Sequence, residues 1–185
     1  GDPRPVAQVS AGELAELLRD RGGLLTLSEA LERFPQSYLN IDVKVGEAAE
    51  PAGRLLAPHA ERVLATSFSD RIRAAALQAA ERAGGTRPAT SAGRGALIRI
   101  LAALATRSRR ATSRALSGLD ALQIPERQGR VPVLSPRLID AAHDADVEVH
   151  VWTVNDPARM DRLLALGVDG IISDRADLAL ERVAR

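Results

Sequence analysis

The chain has 185 residues, 45% of them hydrophobic, a formal net charge of +1 and no cysteine. That length can bury a sizeable single-domain core, and the missing thiols exclude disulfides and thiolate metal sites. The near-neutral balance gives no electrostatic case for nucleic acid or an anionic membrane, and no run reaches the ~18 apolar residues of a membrane span.

Residues 1–22 are polar and weakly patterned, with Ser10 as a candidate N-cap before Leu14, Leu17 and Leu18. Thr26-Leu27-Ser28-Glu29 is a capping box, and the helix it starts should end near Phe34-Pro35. A strand–helix alternation then sets in. Strands are expected at Tyr38–Lys44, Val63–Phe68, Pro88–Ala92, Ala121–Ile124, Val147–Val154 and Val168–Ile172. Helices should lie between them: Ala48–His59, Ser69–Arg82, a long arginine-rich stretch reaching Leu116, one from Ser135-Pro136 to His143, and one from Asp156-Pro157 to Gly167. A last helix begins near Asp174. Six βα units predict an α/β fold with a parallel sheet. Periodicity leaves open a doubly wound sheet or a barrel, and a whole (β/α)₈ barrel needs about 250 residues and eight units.

Three segments carry candidate chemistry. In Asn40-Ile41-Asp42-Val43-Lys44 the polar residues share one strand face, with Asp42 and Lys44 at its C-terminal end. A carboxylate there suits a hard divalent cation, and an ammonium suits a phosphate oxygen; the alternative is a structural ion pair. Lys44 is the one lysine among 25 basic residues. Where arginine otherwise replaces lysine throughout, a retained compact ammonium points to function. The second segment is His150–Asp156, whose Trp152, the only tryptophan, would wall the mouth of a lumen or serve as plain core. The third, Gly167–Asp174, is a weak signal: its glycines permit close packing. His59 and His143 fall at helix ends and read as solvated caps; His150 lies mid-strand and is not assigned to catalysis.

Together these segments resemble the glycerophosphodiester phosphodiesterase family over about residues 24–180. The resemblance rests on L-T-L-S-E-A-L at 25–31, N-I-D-V-K at 40–44, T-S-F-S at 66–69 and A-T-S-A-G at 89–93. It continues with L-S-P-R-L-I-D-A-A-H at 134–143, V-H-V-W-T-V-N at 149–155 and G-V-D-G-I-I-S-D at 167–174. It implies a TIM-barrel-like fold with six of eight βα units present. Residues 23–185 would be strands three to eight, and residues 1–22 the tail of the excursion after a missing second strand.

It also implies metal-dependent hydrolysis of a small-molecule glycerophosphodiester to an alcohol and glycerol 3-phosphate. The divalent metal would be Ca²⁺ or Mg²⁺, with Asp42 as a ligand in place of the usual glutamate. Lys44 would be the phosphate-contacting catalytic lysine and Trp152 a substrate-binding wall. The family's H-R-G strand, acidic pair and second histidine do not appear in this sequence, so the acid/base pair and most metal ligands are absent. Ser173 and Ala176 stand where the family usually has threonine and proline. The expectation is a phosphoric diester hydrolase fold inactive as this chain alone, self-associating or pairing with a missing N-terminal piece. The alternative is a non-catalytic remnant acting as a binding or oligomerisation module. A different phosphate-handling barrel, such as an isomerase or aldolase, is disfavoured by N-I-D-V-K and V-W-T-V-N. No signal peptide follows Gly1, so a cytoplasmic location is expected, with secretion open if the start is internal.

Overall fold

A computed structural model of the protein describes residues 3–84 and 86–183. They form two compact units, divided between Ser37 and Tyr38. The first contains α1 (Ala11–Leu18) and α2 (Leu27–Arg33), each opened by a full capping box. Ser10 accepts from the Glu13 N–H and Thr26 from the Glu29 N–H, while each glutamate reaches back to the cap's own N–H. The Ser10–Glu13 box extends the simple N-cap expected from sequence.

The second unit alternates strand and helix. In chain order it runs β1 (Leu39–Asp42), α3 (Ala49–Leu56), β2 (Val63–Thr66), α4 (Asp70–Gly84), β3 (Ala89–Thr90), α5 (Arg94–Ala105) and α6 (Arg109–Leu116). It continues with β4 (Ala121–Ile124), β5 (Arg127–Gln128), β6 (Val131–Pro132), α7 (Pro136–His143), β7 (Glu148–Val151), α8 (Pro157–Leu166), β8 (Gly170–Ile171) and α9 (Ala176–Val183). β1-β2-β3 and β4-β7-β8 are parallel sheets, joined by a parallel bridge between Ser91 and Ala121. The six parallel strands follow chain order without the reversal of a doubly wound sheet. The architecture is TIM-barrel-like, as expected.

The expected elements differ from the observed ones in three ways. Five of the six expected strands are shorter than their hydrophobic runs, Ala121–Ile124 alone keeping its bounds, because the chain leaves the ladder early and keeps only single bonds. Val43 N–H still donates to Thr66 O at 2.8 Å and Trp152 N–H to Ile124 O at 3.1 Å. The arginine-rich stretch is two helices. Arg107 has φ +59°, and the Ser108 side chain caps α6 by accepting the Ala111 N–H at 3.3 Å. The β5–β6 hairpin turns at Gly129, with φ +59°, inside a stretch with no hydrophobic alternation to announce it.

The main apolar cluster packs β4 and β7 under α5 to α8, with Leu122, Val149, Ile100, Leu138, Met160 and Leu163 fully buried. Buried hydroxyls join the strands where the ladder is thin. Ser67 donates to Val43 O at 2.7 Å, Thr90 donates to Ala65 O at 2.7 Å, and Ser91 accepts from Gln123 N–H at 3.0 Å. T-S-F-S and A-T-S-A-G therefore carry strand-to-strand bonds. Thr90→Val keeps shape but leaves the buried Ala65 carbonyl without that donor, and should cost about 1–2 kcal/mol. An unchanged urea midpoint would show that the bond contributes nothing.

Candidate active site

Barrel enzymes gather their chemistry where parallel strands end. Asp42 ends β1, Phe68 lies two residues past β2, and Trp152 directly follows β7. The structure brings them together with Lys44. The Lys44 ammonium pairs with Asp42 Oδ2 and lies 5.7 Å from the centre of the Phe68 ring. Phe68 meets Trp152 edge to face, with ring centres 6.0 Å apart and planes at 83°. Carboxylate, ammonium and two aromatic rings thus form one continuous row. Lys44 is 70% exposed at its side chain and Asp42 29%, so the cation is presented to solvent on a half-buried anion. All three residues singled out from sequence are in this row. Phe68 was missed: it closed the expected strand Val63–Phe68, and its motif T-S-F-S was noticed only as part of the family resemblance. Its signal was scarcity, in a chain with 2% aromatics.

The same strand ends carry bracing groups. Asn155 donates to Asp174 Oδ2 at 3.0 Å, and its Oδ1 accepts from Ser173 Oγ at 3.0 Å and Asp174 N–H at 2.9 Å. This ties the turn after β7 to the turn after β8, a role beyond helix-start chemistry; the helix start falls to Asp156, which accepts from Arg159 N–H at 2.9 Å. Ser173 supplies its hydroxyl to the brace. Past β4, Glu126 is gripped by Arg159 and Arg162. Burial acts to raise its carboxyl, but the two guanidinium groups outweigh that and hold it below the usual carboxylate range.

The histidines lie elsewhere. His150, on β7, touches Glu148 Oε2 at 2.9 Å and Gln123 at 3.5 Å. It lines a cavity of about 510 Å³ together with Leu39, Leu64 and Ile171. That cavity does not include Asp42, Lys44, Phe68 or Trp152. His59 contacts Arg62 at 3.1 Å, and His143 contacts Asp169 at 2.8 Å. His143 is therefore more than a solvated cap. Asp169 also accepts the Val149 N–H at 2.8 Å. Burial acts to raise the Asp169 carboxyl, yet the Val149 N–H and His143 prevail and hold it low. A depressed carboxylate stabilises the fold above its unfolded pKa, and that support is lost as pH falls through the folded value. Asp169→Asn should therefore lose less stability than the parent between neutral pH and about pH 3. Parallel urea-midpoint profiles for the two would contradict this.

A hard divalent cation takes six or more oxygen ligands. Among the described residues no group of three His, Cys, Asp or Glu could hold a metal. Asp42 Oδ1 is buried without a hydrogen-bond partner, which suits a ligand, but one carboxylate does not make a site. The described residues do not by themselves fit the implied metal.

Comparison with known proteins matches residues 4–178 to the model of the glycerophosphoryl diester phosphodiesterase family. A curated protein of Mycobacterium tuberculosis, "Probable glycerophosphodiester phosphodiesterase 2", is 39% identical over 175 residues. The match takes in 93% of this chain and 61% of that relative, so the chain spans about three fifths of the relative's length. Among solved structures, a glycerophosphodiester phosphodiesterase from Agrobacterium tumefaciens aligns over 98% of this chain and 74% of its own. Its TM-score is 0.65 at 21% identity. A phosphodiesterase from Oleispira antarctica, in complex with the product sn-glycerol-3-phosphate, aligns over 98% and 73%, with a TM-score of 0.64 at 15% identity. At such identities these likenesses establish the fold.

Proposed function

This chain belongs to the glycerophosphoryl diester phosphodiesterase family, and on that footing we propose that its site serves hydrolysis of glycerophosphodiesters to an alcohol and sn-glycerol 3-phosphate. The observation that carries the reading is the Asp42–Lys44–Phe68–Trp152 row at the strand ends. The Lys44 ammonium neutralises phosphoryl oxygens, where charge grows as water attacks phosphorus. Asp42 holds that ammonium in place. Phe68 and Trp152 lie against the glycerol carbons and narrow the approach of water. The family is generally metal-dependent; Asp42 would offer its unpartnered oxygen to such an ion, with further ligands from outside the described residues. In this reading residues 23–185 correspond to strands three to eight of the family barrel, and residues 1–22 to the excursion before them.

None of the three histidines stands with the Asp42–Lys44 pair. General acid–base help is worth ~10²–10⁴-fold, so the 185-residue chain alone should release sn-glycerol 3-phosphate from glycerophosphocholine no faster than background. Robust turnover would overturn this assignment of roles. Binding tests the function itself. Calorimetry should show sn-glycerol 3-phosphate binding more tightly than inorganic phosphate, because the rings add contacts to the glycerol. Equal affinities would remove the aromatic row from the substrate site.

A further inference from the structure

The whole-chain charge of +1 hides a segregation. Between Pro88 and Leu119 there are six arginines and no Asp or Glu. This is the α5–α6 pair, and Arg94, Arg99, Arg107, Arg109, Arg110 and Arg114 are all exposed. Arg109 reaches Asp144 of α7 at 3.3 Å, and Asp140 of α7 lines the same groove. Arg94, Arg107, Arg110 and Arg114 make no ion pair among the described residues. On α5, Arg94, Ile98, Ala102 and Ala105 fall four, four and three residues apart, so they share one helix face. All four are exposed, Ile98 at 58%.

We propose that the α5–α6 face is a docking surface for an anionic phospholipid bilayer. The inference goes beyond the phosphodiesterase reading and does not depend on it. Charge complementarity selects the partner: four uncompensated guanidinium groups suit lipid phosphates, to which arginine bonds as a fork. Long arginine stems let the heads sit at headgroup level while Ile98 and the alanines enter the interface. The contact is peripheral; no helix among the described residues is long and apolar enough to cross a membrane. A nucleic acid is the other polyanion such a surface meets. Residues 88–119 contain no aromatic ring to stack on a base and no Asn or Gln to read a base edge. The exposed isoleucine has a use in a bilayer and none on a phosphate backbone.

The test is sedimentation with vesicles of phosphatidylcholine alone and with about one third phosphatidylglycerol, compared with duplex DNA and single-stranded RNA in the same buffer. The chain should bind the anionic vesicles and not the neutral ones, and release them when salt rises from about 0.1 M to 0.5 M. Arg107→Gln, Arg110→Gln and Arg114→Gln together should weaken partition on the order of 100-fold. Unchanged helicity and melting would show that the triple variant is folded; if it is not, the salt response of the parent chain decides. No binding to anionic vesicles, binding insensitive to salt, equal binding by a folded triple variant, or tighter binding to nucleic acid would each overturn the proposal.

Discussion

Lys44→Met should weaken binding of sn-glycerol 3-phosphate roughly 10- to 100-fold, the worth of a charge-assisted hydrogen bond. Lys44 is held in place by the Asp42 carboxylate on one side and the Phe68 face on the other, so its ammonium meets the phosphate without first being ordered. Arginine should not restore the affinity. Its planar fork is wider than an ammonium and would pair with Asp42 side-on, turning its donors from the ligand. In a chain that also carries an acid/base pair, the same Lys44→Arg exchange should cut turnover sharply. The check is the phosphorus resonance of the ligand titrated against parent and variants. Identical affinities would return Lys44 to the role of a surface ion pair.

Gly53→Ala should destabilise the fold by about 3 kcal/mol, at the upper end of overpacking costs. Gly53 lies in α3, where it faces α4. A Cβ there would lie 2.2 Å from the Ala76 carbonyl oxygen and 2.7 Å from Ala79 Cβ. Both obstacles are on α4 and neither is a flexible tip. Ala52, Leu56, Ala76, Ala79 and Ala80 are all buried around this contact, so the two helices approach on small residues and cannot part without opening the layer over β2. A lowered urea midpoint with an unchanged slope would match this expectation. A midpoint within a few tenths of a molar of the parent would mean that α3 shifts freely.

Much of this was legible from sequence because the signals are local. Ser135-Pro136 and Asp156-Pro157 start α7 and α8 where cap chemistry places them, and Gly167, with φ +95°, ends α8. Ala121–Ile124 is the strand its apolar run predicts. Alternation along Asn40–Lys44 put Asp42 and Lys44 on one face, and they pair. Contacts between distant segments were not legible. The Phe68 ring meets Lys44 and Trp152 across intervals of 24 and 84 residues, and Glu126 meets arginines on α8. Periodicity describes one element at a time and says nothing of such meetings. The Arg107 break was hidden because no glycine or proline marks it between Gly95 and Gly118. A net charge is an average and carries no record of where the arginines gather along the chain.

Trp152 is the sole tryptophan, so its indole N–H gives a single resonance that reports on the proposed site directly. Titration with sn-glycerol 3-phosphate should move that resonance saturably in the parent chain, and in Lys44→Met only at concentrations roughly 10- to 100-fold higher. A still indole in the parent, with ligand-induced shifts gathered instead on the arginines of α5 and α6, would contradict the assignment of the glycerophosphate site to the strand ends.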